Sequence, residues 1–518
     1  MPRGREGARR RVPVVVAIAG LATVTAFSGC AVDDIAPPPS SPPASTGAPP
    51  VPEPAGPPLA APRVVPAPPR LGPDRTVGLV PRLAAMRTDA FAVSARWATP
   101  PGSTVLGDAL TARVAQAVRA YADEHGSEWQ PGVDLVAGGV AEPCWGGSQT
   151  IASPAALTVD CAVVAAAGSL VGERITLTRH EPGAAPSVSR EVWYADGATG
   201  GLFDGASLYR PGQEARVLAL VAEGLRAAGR IAPGEDPFAG RDAVAQRAAL
   251  ADSALARSGI VVTLPVESDG GRLASVHVPA RLLGPMLSDV GRAALDAVAG
   301  GAAYAPDPAA AGDDPVDCTL VPCMSITFDD GPSSLTPALL DVLDRERAPA
   351  TFFVQGSAVA TSPAVAERIV ESGHEIGNHT WRHPNLTKLT DDEEVRREVE
   401  RTQAAIAAAI GTEATSLRPP YGASDERVRA LVGLPVIVWD VDTRDWQDPG
   451  PDAVVERAVG GSARGSIVLM HDTHEQTVEA VPAVVEGLRD RGFTLATVTE
   501  QFGGALPGAG TLVSHGPR

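Results

Sequence analysis

The chain has 518 residues, enough for about three domains of average size. Hydrophobic residues make up 44% of the chain, so ordinary cores can form, and the formal net charge is −18. Proteins that bind nucleic acid need a basic footprint, so this charge argues against a nucleic-acid partner.

The first thirty residues have the features of an export signal. Five arginines precede a mostly apolar run over 14–27, which is short for a membrane span. The run ends in Phe27-Ser28-Gly29-Cys30, which resembles a lipoprotein signal, although Leu, Val or Ile usually stands in place of Phe27. The resemblance implies a lipid on Cys30 and an anchor at the outer face of the cell membrane, facing the cell wall. An ordinary cleaved signal peptide is the alternative.

Four cysteines remain if Cys30 is lipidated. An even number in an exported protein predicts two disulfides, and pairing by proximity in the chain gives Cys144–Cys161 and Cys318–Cys323. A zinc site of four cysteines is the alternative, but the spacings do not form paired knuckles.

Composition predicts a tether and then a folded region. Over 36–70, 15 of the 35 positions are Pro, so 31–74 is predicted to be a disordered tether that cannot bury a core. Residues 75–300 are predicted to form an α+β accessory domain. Its apolar residues recur at helical spacing from Leu110 to Tyr121 and alternate from Leu157 to Val163, and Ser268-Asp269-Gly270-Gly271 predicts a hairpin. The order of its elements resembles a small extracellular domain of some deacetylases and of anti-sigma factors of the RsiV type.

The last two hundred residues have a different pattern. Residues 301–317, rich in Ala, Gly, Pro and Asp, are predicted to be a linker, and 504–518 a flexible tail. Over 318–503, short apolar runs alternate with amphipathic helical stretches, which indicates a parallel sheet or barrel. Five of the nine histidines lie between 374 and 474, so the chemistry is expected there.

The first two motifs combine carboxylates and histidines. An apolar strand runs into Asp329 and Asp330 ahead of Gly331-Pro332, and strand ends carry the catalytic groups in α/β barrels. A solvated turn is the plainer interpretation. Next, His379 and His383 are four residues apart, which on a helical turn lets both imidazoles reach one metal.

Three further motifs follow. They are Arg418-Pro419-Pro420-Tyr421-Gly422, Asp442-Thr443-Arg444-Asp445-Trp446, and a strand from Ile467 that ends on His471-Asp472. Each is weak alone, because proline pairs mark turns and a histidine at a strand end is usually structural. His180, His277 and His374 are interpreted as structural, and His474 as a residue at the rim of the cleft.

Together and in this order, the five motifs resemble those of the NodB-type polysaccharide deacetylases, carbohydrate esterase family four. The resemblance covers about 318–503, and no catalytic position is substituted. It implies an α/β fold, namely a distorted (β/α) barrel preceded here by the smaller α+β domain. It also implies a divalent metal cofactor, usually Zn²⁺ and sometimes Co²⁺ or another ion.

The resemblance assigns roles to single residues. Asp330, His379 and His383 match the metal ligands. Asp329 matches the general base and Arg418 the residue that orients it. His471 matches the general acid, and Asp445 its partner. The Tyr421 backbone N–H matches an oxyanion donor, and Trp446 and Leu469 match the walls of the acetyl pocket.

These roles suit amide hydrolysis. A divalent cation lowers the pKa of water and polarises the carbonyl, while an acid must protonate the departing amine. We therefore expect a monomer that removes N-acetyl groups from an N-acetylhexosamine of a cell-wall glycan, with peptidoglycan as the leading substrate. The alternatives are chitin-type oligosaccharides, O-acetylated xylan, or a non-catalytic glycan-binding or sensory lipoprotein.

Overall fold

The computed structural model describes residues 61–67, 70–76, 78–100, 105–133, 144, 153–305 and 316–517. The predicted signal peptide, the lipidation site Cys30 and the tether up to residue 60 lie outside the described residues. Within the described part of the chain, no helix has both the length and the hydrophobicity required to cross a membrane.

The described residues before 306 form a region of two sheets and five α-helices. Its strands are β1 (Arg63–Val65), β2 (Val80–Arg87), β3 (Phe91–Thr99), β4 (Ala155–Ala167), β5 (Leu170–His180), β6 (Ser187–Asp196), β7 (Gly201–Asp204), β8 (Ser253–Ala256), β9 (Gly259–Val266) and β10 (Arg272–Pro279). Its helices are α1 (Val105–Glu124), α2 (Glu214–Ala227), α3 (Ala243–Ala249), α4 (Ala280–Leu283) and α5 (Asp289–Gly300).

The larger sheet has six strands in the order β2-β3-β4-β5-β6-β7. Only β3 and β4 are parallel, and α1 forms the crossover that a parallel connection requires. The helix predicted from apolar spacing is confirmed: Leu110, Val114, Val118 and Tyr121 are all buried against this sheet. The strand predicted from the alternation within 157–163 is β4.

The smaller sheet has four antiparallel strands in the order β1-β10-β9-β8. The predicted hairpin is β9–β10, and both Gly270 and Gly271 in its turn have positive φ, which only glycine adopts without strain. Helix α2 packs on β10 and, with α5, completes an apolar core with this sheet. The described part of this region therefore combines two mostly antiparallel sheets with helices.

The structure departs from the predicted boundaries at three places. Strand β1 pairs with β10 inside the segment predicted as tether, because its short apolar run completes the sheet. Asp317, predicted as linker, accepts a hydrogen bond from Arg119 of α1. Val513, in the predicted flexible tail, is buried and belongs to a strand that the structure pairs in parallel with residues 436–437.

The region from residue 316 alternates strands and helices. Its strands are β11 (Cys323–Asp329), β12 (Thr351–Val354), β13 (Glu375–Asn378), β14 (Val436–Ile437), β15 (Val441–Asp442), β16 (Ile467–His471), β17 (Thr494–Leu495) and β18 (Leu512–Val513). Its helices are α6 (Thr336–Glu346), α7 (Gly356–Thr361), α8 (Pro363–Glu371), α9 (Asp392–Ile410), α10 (Glu426–Val432), α11 (Pro451–Gly461), α12 (Glu475–Asp490) and α13 (Val498–Gln501).

Its main sheet runs β13-β12-β11-β16-β15 with all strands parallel, and β17 extends β11 at its start. Strands β14 and β18 pair separately. The α/β class is as predicted, but the described strands form no closed sheet, so the barrel is not confirmed. The strands beyond this sheet, β14 and β18, have only two residues each, too few to continue a regular ladder around a ring.

The two predicted cysteine pairs lie at bonding distance. Cys144 and Cys161 are 1.94 Å apart at sulfur, and Cys318 and Cys323 are 1.99 Å apart. The second pair closes the segment in which Leu320 is buried in the apolar core under α1. This segment therefore joins the accessory region to the first strand of the main sheet.

Candidate active site

The candidate site lies where β11 and β16 end. These neighbouring strands are parallel, and their register places Asp329 opposite His471 and Thr327 opposite Leu469. Side chains two residues apart on a strand share a face, so all four lie on one side of the sheet. The register alone therefore brings the predicted base and the predicted acid to the same edge.

A buried arginine holds Asp329. Arg418 has no exposed side-chain surface, and its Nη1 donates to Asp329 Oδ1 over 2.7 Å. The same nitrogen donates to Thr327 Oγ1, while Nε and Nη2 donate to the carbonyls of residues 437 and 438. A carboxylate 4% exposed would be costly without such a partner. Arg418 therefore pairs with the buried Asp329 and fixes the direction of its carboxylate.

Asp330 and the two histidines of the second motif converge. Asp330 Oδ1 lies 3.5 Å from His379 Nε2 and 3.3 Å from His383 Nε2. The three ligand atoms all lie within 4.8 Å of one another. The predicted trio is thus brought together, with His379 Nε2 also 3.7 Å from Asp329 Oδ2.

The prediction that a helical turn aligns His379 and His383 is wrong. The segment after β13 is a loop, in which Thr380 and His383 have φ of 66° and 61°. Glu398 of α9 accepts hydrogen bonds from the backbone N–H groups of Trp381 and Arg382, both over 2.9 Å. Side-chain contacts from a distant helix, rather than local helical spacing, shape this loop. Nothing in the sequence motif indicated Glu398.

The trio fits a divalent cation. His379 Nδ1 lies 2.7 Å from the carbonyl of Arg418, which can only accept, so Nδ1 carries the proton and Nε2 keeps a free lone pair. Burial and the neighbouring His379 lower the pKa of His383, which favours its neutral form. Although burial opposes it, the two histidines hold the pKa of Asp330 below its usual value. Two imidazoles and one carboxylate leave positions open for other ligands.

His471 forms the second charge pair of the site. Its Nδ1 lies 2.8 Å from Asp445 Oδ1, and Asp445 is completely buried. Asp445 Oδ2 accepts from the His471 backbone N–H and from Thr477 Oγ1, both over 2.7 Å. Burial lowers the pKa of His471, but the bond to Asp445 and the charge of Asp329 outweigh it and raise the pKa to about 9. His471 is therefore held in its charged, proton-donating form.

The remaining predicted residues lie at the rim or floor of this site. Tyr421 has φ of 62°, is 67% exposed, and packs edge-on against His383 with ring centroids 4.6 Å apart. Trp446 is 52% exposed beside Asp445. Leu469 is buried beneath His471 on the same strand face.

Asp472 is a neighbour of the site for which the sequence analysis predicts no role. Its Oδ2 accepts from Thr336 Oγ1, and burial raises its pKa to about 7. A Cβ on Gly331 would lie 2.0 Å from this oxygen, so only glycine fits there. Asp472 thus sits tightly against the loop that follows Asp330.

The other histidines lie apart from the trio. His374 is buried, its Nδ1 accepts from the Ala350 N–H, and burial lowers its pKa to about 4. His277 bonds to Ser258, and His180 ends β5. His474 lies 3.3 Å from Asp448, and its ring centroid is 5.9 Å from that of His471.

Comparison with known proteins agrees with this geometry. The polysaccharide deacetylase family model matches residues 317–434. The chain is 41% identical to peptidoglycan-N-acetylglucosamine deacetylase PgdA of Listeria monocytogenes (strain 10403S), over 35% of this chain and 39% of that protein. It is 36% identical to peptidoglycan-N-acetylmuramic acid deacetylase PdaC of Bacillus subtilis (strain 168), over 34% of this chain and 38% of that protein.

The chain spans about two fifths of the length of those two relatives. A shorter relative is matched almost throughout: the chain is 36% identical to the chitooligosaccharide deacetylase of Sinorhizobium fredii (strain NBRC 101917 / NGR234), over 35% of this chain and 93% of that protein. The C-terminal region of this chain carries the five motifs at one edge of a parallel sheet. This chain therefore belongs to the polysaccharide deacetylase family.

Proposed function

We propose that this protein hydrolyses N-acetyl groups of an N-acetylhexosamine in a cell-wall glycan, with peptidoglycan as its substrate and a divalent metal ion as cofactor. One observation carries the proposal. Asp329 and His471 lie opposite each other on neighbouring parallel strands, beside the Asp330–His379–His383 trio. Asp329 is paired with Arg418, and His471 is paired with Asp445. A base, an acid and a cation site at one edge are the parts that amide hydrolysis requires.

Asp330, His379 and His383 would hold the cation. Two imidazoles and one carboxylate are suitable ligands for Zn²⁺, and Co²⁺ is the alternative ion. A divalent ion held there supplies Lewis acidity, which activates water and polarises a carbonyl oxygen. The contribution of the protein is the fixed direction of these three side chains.

Asp329 acts as the general base. Its Oδ1 is occupied by Arg418, so Oδ2, which faces His379 Nε2 over 3.7 Å, is the oxygen free to take a proton from water. Arg418 Nη1, which donates to Oδ1 over 2.7 Å, holds the carboxylate in this orientation. Positioned acid–base groups of this kind contribute about 10²–10⁴-fold to rate.

His471 acts as the general acid. Amide cleavage needs a proton on the departing nitrogen, because a free amide anion is too basic to leave. A His471 pKa of about 9 keeps the imidazolium charged at neutral pH, with its proton on Nε2 toward the cleft because Nδ1 donates to Asp445. Trp446 and Leu469 would enclose the acetyl methyl, and the Tyr421 N–H would donate to the developing oxyanion.

The relatives support the class of substrate. Two of them act, by name, on peptidoglycan sugars and one on chitooligosaccharides. The test is acetate release from purified peptidoglycan, chitooligosaccharide and acetylated xylan in parallel, with Asp329→Asn as the inactive variant. Glu413→Gln, an exposed change outside the site, is the control. Release highest from peptidoglycan and lost only in Asp329→Asn supports the proposal, whereas equal release by both variants removes catalysis from this site.

We further propose that Cys30 carries a lipid and places the enzyme, as a monomer, on the outer face of the membrane. Residues 75–300 would be an accessory domain of the RsiV type. A fatty-acid label that persists in Cys30→Ala would disprove the anchor. A glycan-binding or sensory protein without catalysis is the second candidate, and the complete set of site residues argues against it.

A further inference from the structure

We propose that Gln355 is a positioning residue of the metal site: its side-chain amide holds the Asp330 carboxylate toward His379 and His383 and thereby sets the affinity for the cation. This inference rests on the proposed function, because it presumes that the trio binds a divalent ion. Gln355 lies outside the five motifs.

The geometry is direct. Gln355 Nε2 donates to Asp330 Oδ1 over 2.8 Å. This is the same oxygen that lies 3.5 Å and 3.3 Å from the two histidine Nε2 atoms. An amide N–H occupies one lone pair of a carboxylate oxygen and leaves another for a cation. Gln355 therefore orients the ligand atom without blocking it.

Asp330 needs such a partner. A quarter of its side chain is exposed, so packing alone does not fix the carboxylate. Its φ of 77° is also a conformation that a non-glycine residue adopts only when its surroundings impose it. Asp329, by contrast, is 4% exposed and held by Arg418. Gln355 provides Asp330 with the anchor that Arg418 provides for Asp329.

The placement of Gln355 follows from the fold rather than from local helix chemistry. It is the N-cap residue of α7, a position that favours Ser, Thr, Asp or Asn, and its side chain makes no capping hydrogen bond. Its backbone N–H donates to the Gly331 carbonyl over 2.8 Å, which ties it to the residue after Asp330. The side chain is thus turned from the helix toward the carboxylate.

The experiment compares Gln355→Met with the wild type in the full chain. Methionine keeps the length of the side chain and removes the donor. Hydrogen bonds to metal-ligating groups are worth about 10- to 100-fold in metal affinity, and we expect a loss of that size for Zn²⁺ in a chelator competition. Turnover at saturating Zn²⁺ should change much less, because Asp329 and His471 are untouched.

Ser357→Ala, two residues along the same helix, is the matched control and should bind Zn²⁺ as the wild type does. Thermal unfolding without metal tests whether Gln355→Met has a folding defect. We expect the metal-free variant to be as stable as the metal-free wild type, because the hydrogen bond to Asp330 acts on metal binding. Equal Zn²⁺ affinity in Gln355→Met and wild type overturns the inference. If His379→Ala also binds Zn²⁺ as the wild type does, the metal site itself, and with it the proposed function, is wrong.

Discussion

The accessory region and the deacetylase region both bury an arginine–aspartate pair, yet among the described residues only the second pair lies in the candidate active site. Arg174 Nε lies 2.7 Å from Asp252, and Arg418 Nη1 lies 2.7 Å from Asp329, with all four side chains at most 8% exposed. The first pair joins β5 to the residue that precedes β8. The second stands at the end of a parallel strand, with His379 Nε2 3.7 Å from Asp329 Oδ2. Position in the fold, not the chemistry of the pair, makes the difference.

The backbone shows the same contrast. Among the described residues, the accessory region has positive φ only at glycines, whereas seven non-glycine residues with positive φ all lie from 330 onward. Six of these seven lie in or beside the five motifs; the exception is Arg347, which ends α6. Such conformations cost free energy and persist where surroundings over-determine them. Strain is thus concentrated where side chains must converge.

The largest expected effect separates the two adjacent aspartates. Asp329→Asn should keep the metal and lower turnover about 10²–10⁴-fold, because it removes only the base. Asp330→Asn should lose metal first, because a neutral amide is a poorer ligand. Metal content by mass spectrometry beside acetate release tests both variants, and the opposite pattern would exchange the two roles.

Breaking the two buried pairs tests the comparison directly. Arg418→Met and Arg174→Met should each cost about 3–5 kcal/mol of stability, since each leaves a buried carboxylate without its cation. Only Arg418→Met should also abolish acetate release from the molecules that remain folded. Denaturant unfolding and activity are measured on the same samples. Equal activity loss per folded molecule in both variants would contradict the division of roles.

The pH profile reports the second pair of the site. Because Asp445 raises the pKa of His471, Asp445→Asn should lower that pKa from about 9 toward the ordinary ~6.5. His471 must be protonated to act, so the alkaline limb of kcat/KM should move to lower pH by the same shift. Wild type and Glu413→Gln should keep the limb near 9. A limb that stays in place in Asp445→Asn would remove His471 as the acid.

The smallest expected effects are losses of stability on removal of the disulfides, of which each region has one. The pairs close loops of 17 and 5 residues, so loss of Cys144–Cys161 should cost about 3 kcal/mol and loss of Cys318–Cys323 about 2 kcal/mol. Thermal unfolding of the two double Cys→Ser variants tests this order. Metal binding should be unchanged in both, and a loss of metal would indicate that the bridges act on the site.

Much of the site could be predicted from the sequence. The five motifs are short and contiguous, so their resemblance to a known family assigns roles to the trio, Asp329, Arg418, His471 and Asp445. Amphipathic spacing predicts α1, because residues at helical spacing face one core, and the turn residues Ser268-Asp269-Gly270-Gly271 predict the β9–β10 hairpin.

Only the tertiary structure decided how those residues are held. The loop carrying His379 and His383 is shaped by Glu398, Asp330 is anchored by Gln355, and Asp445 is shared with Thr477. Strand β18 joins β14 from a segment with no clear strand signal. These contacts link residues far apart in the chain through single hydrogen bonds, which leave no periodic pattern. The sequence by itself therefore determined which side chains are available for the candidate site, while long-range packing decided their orientation.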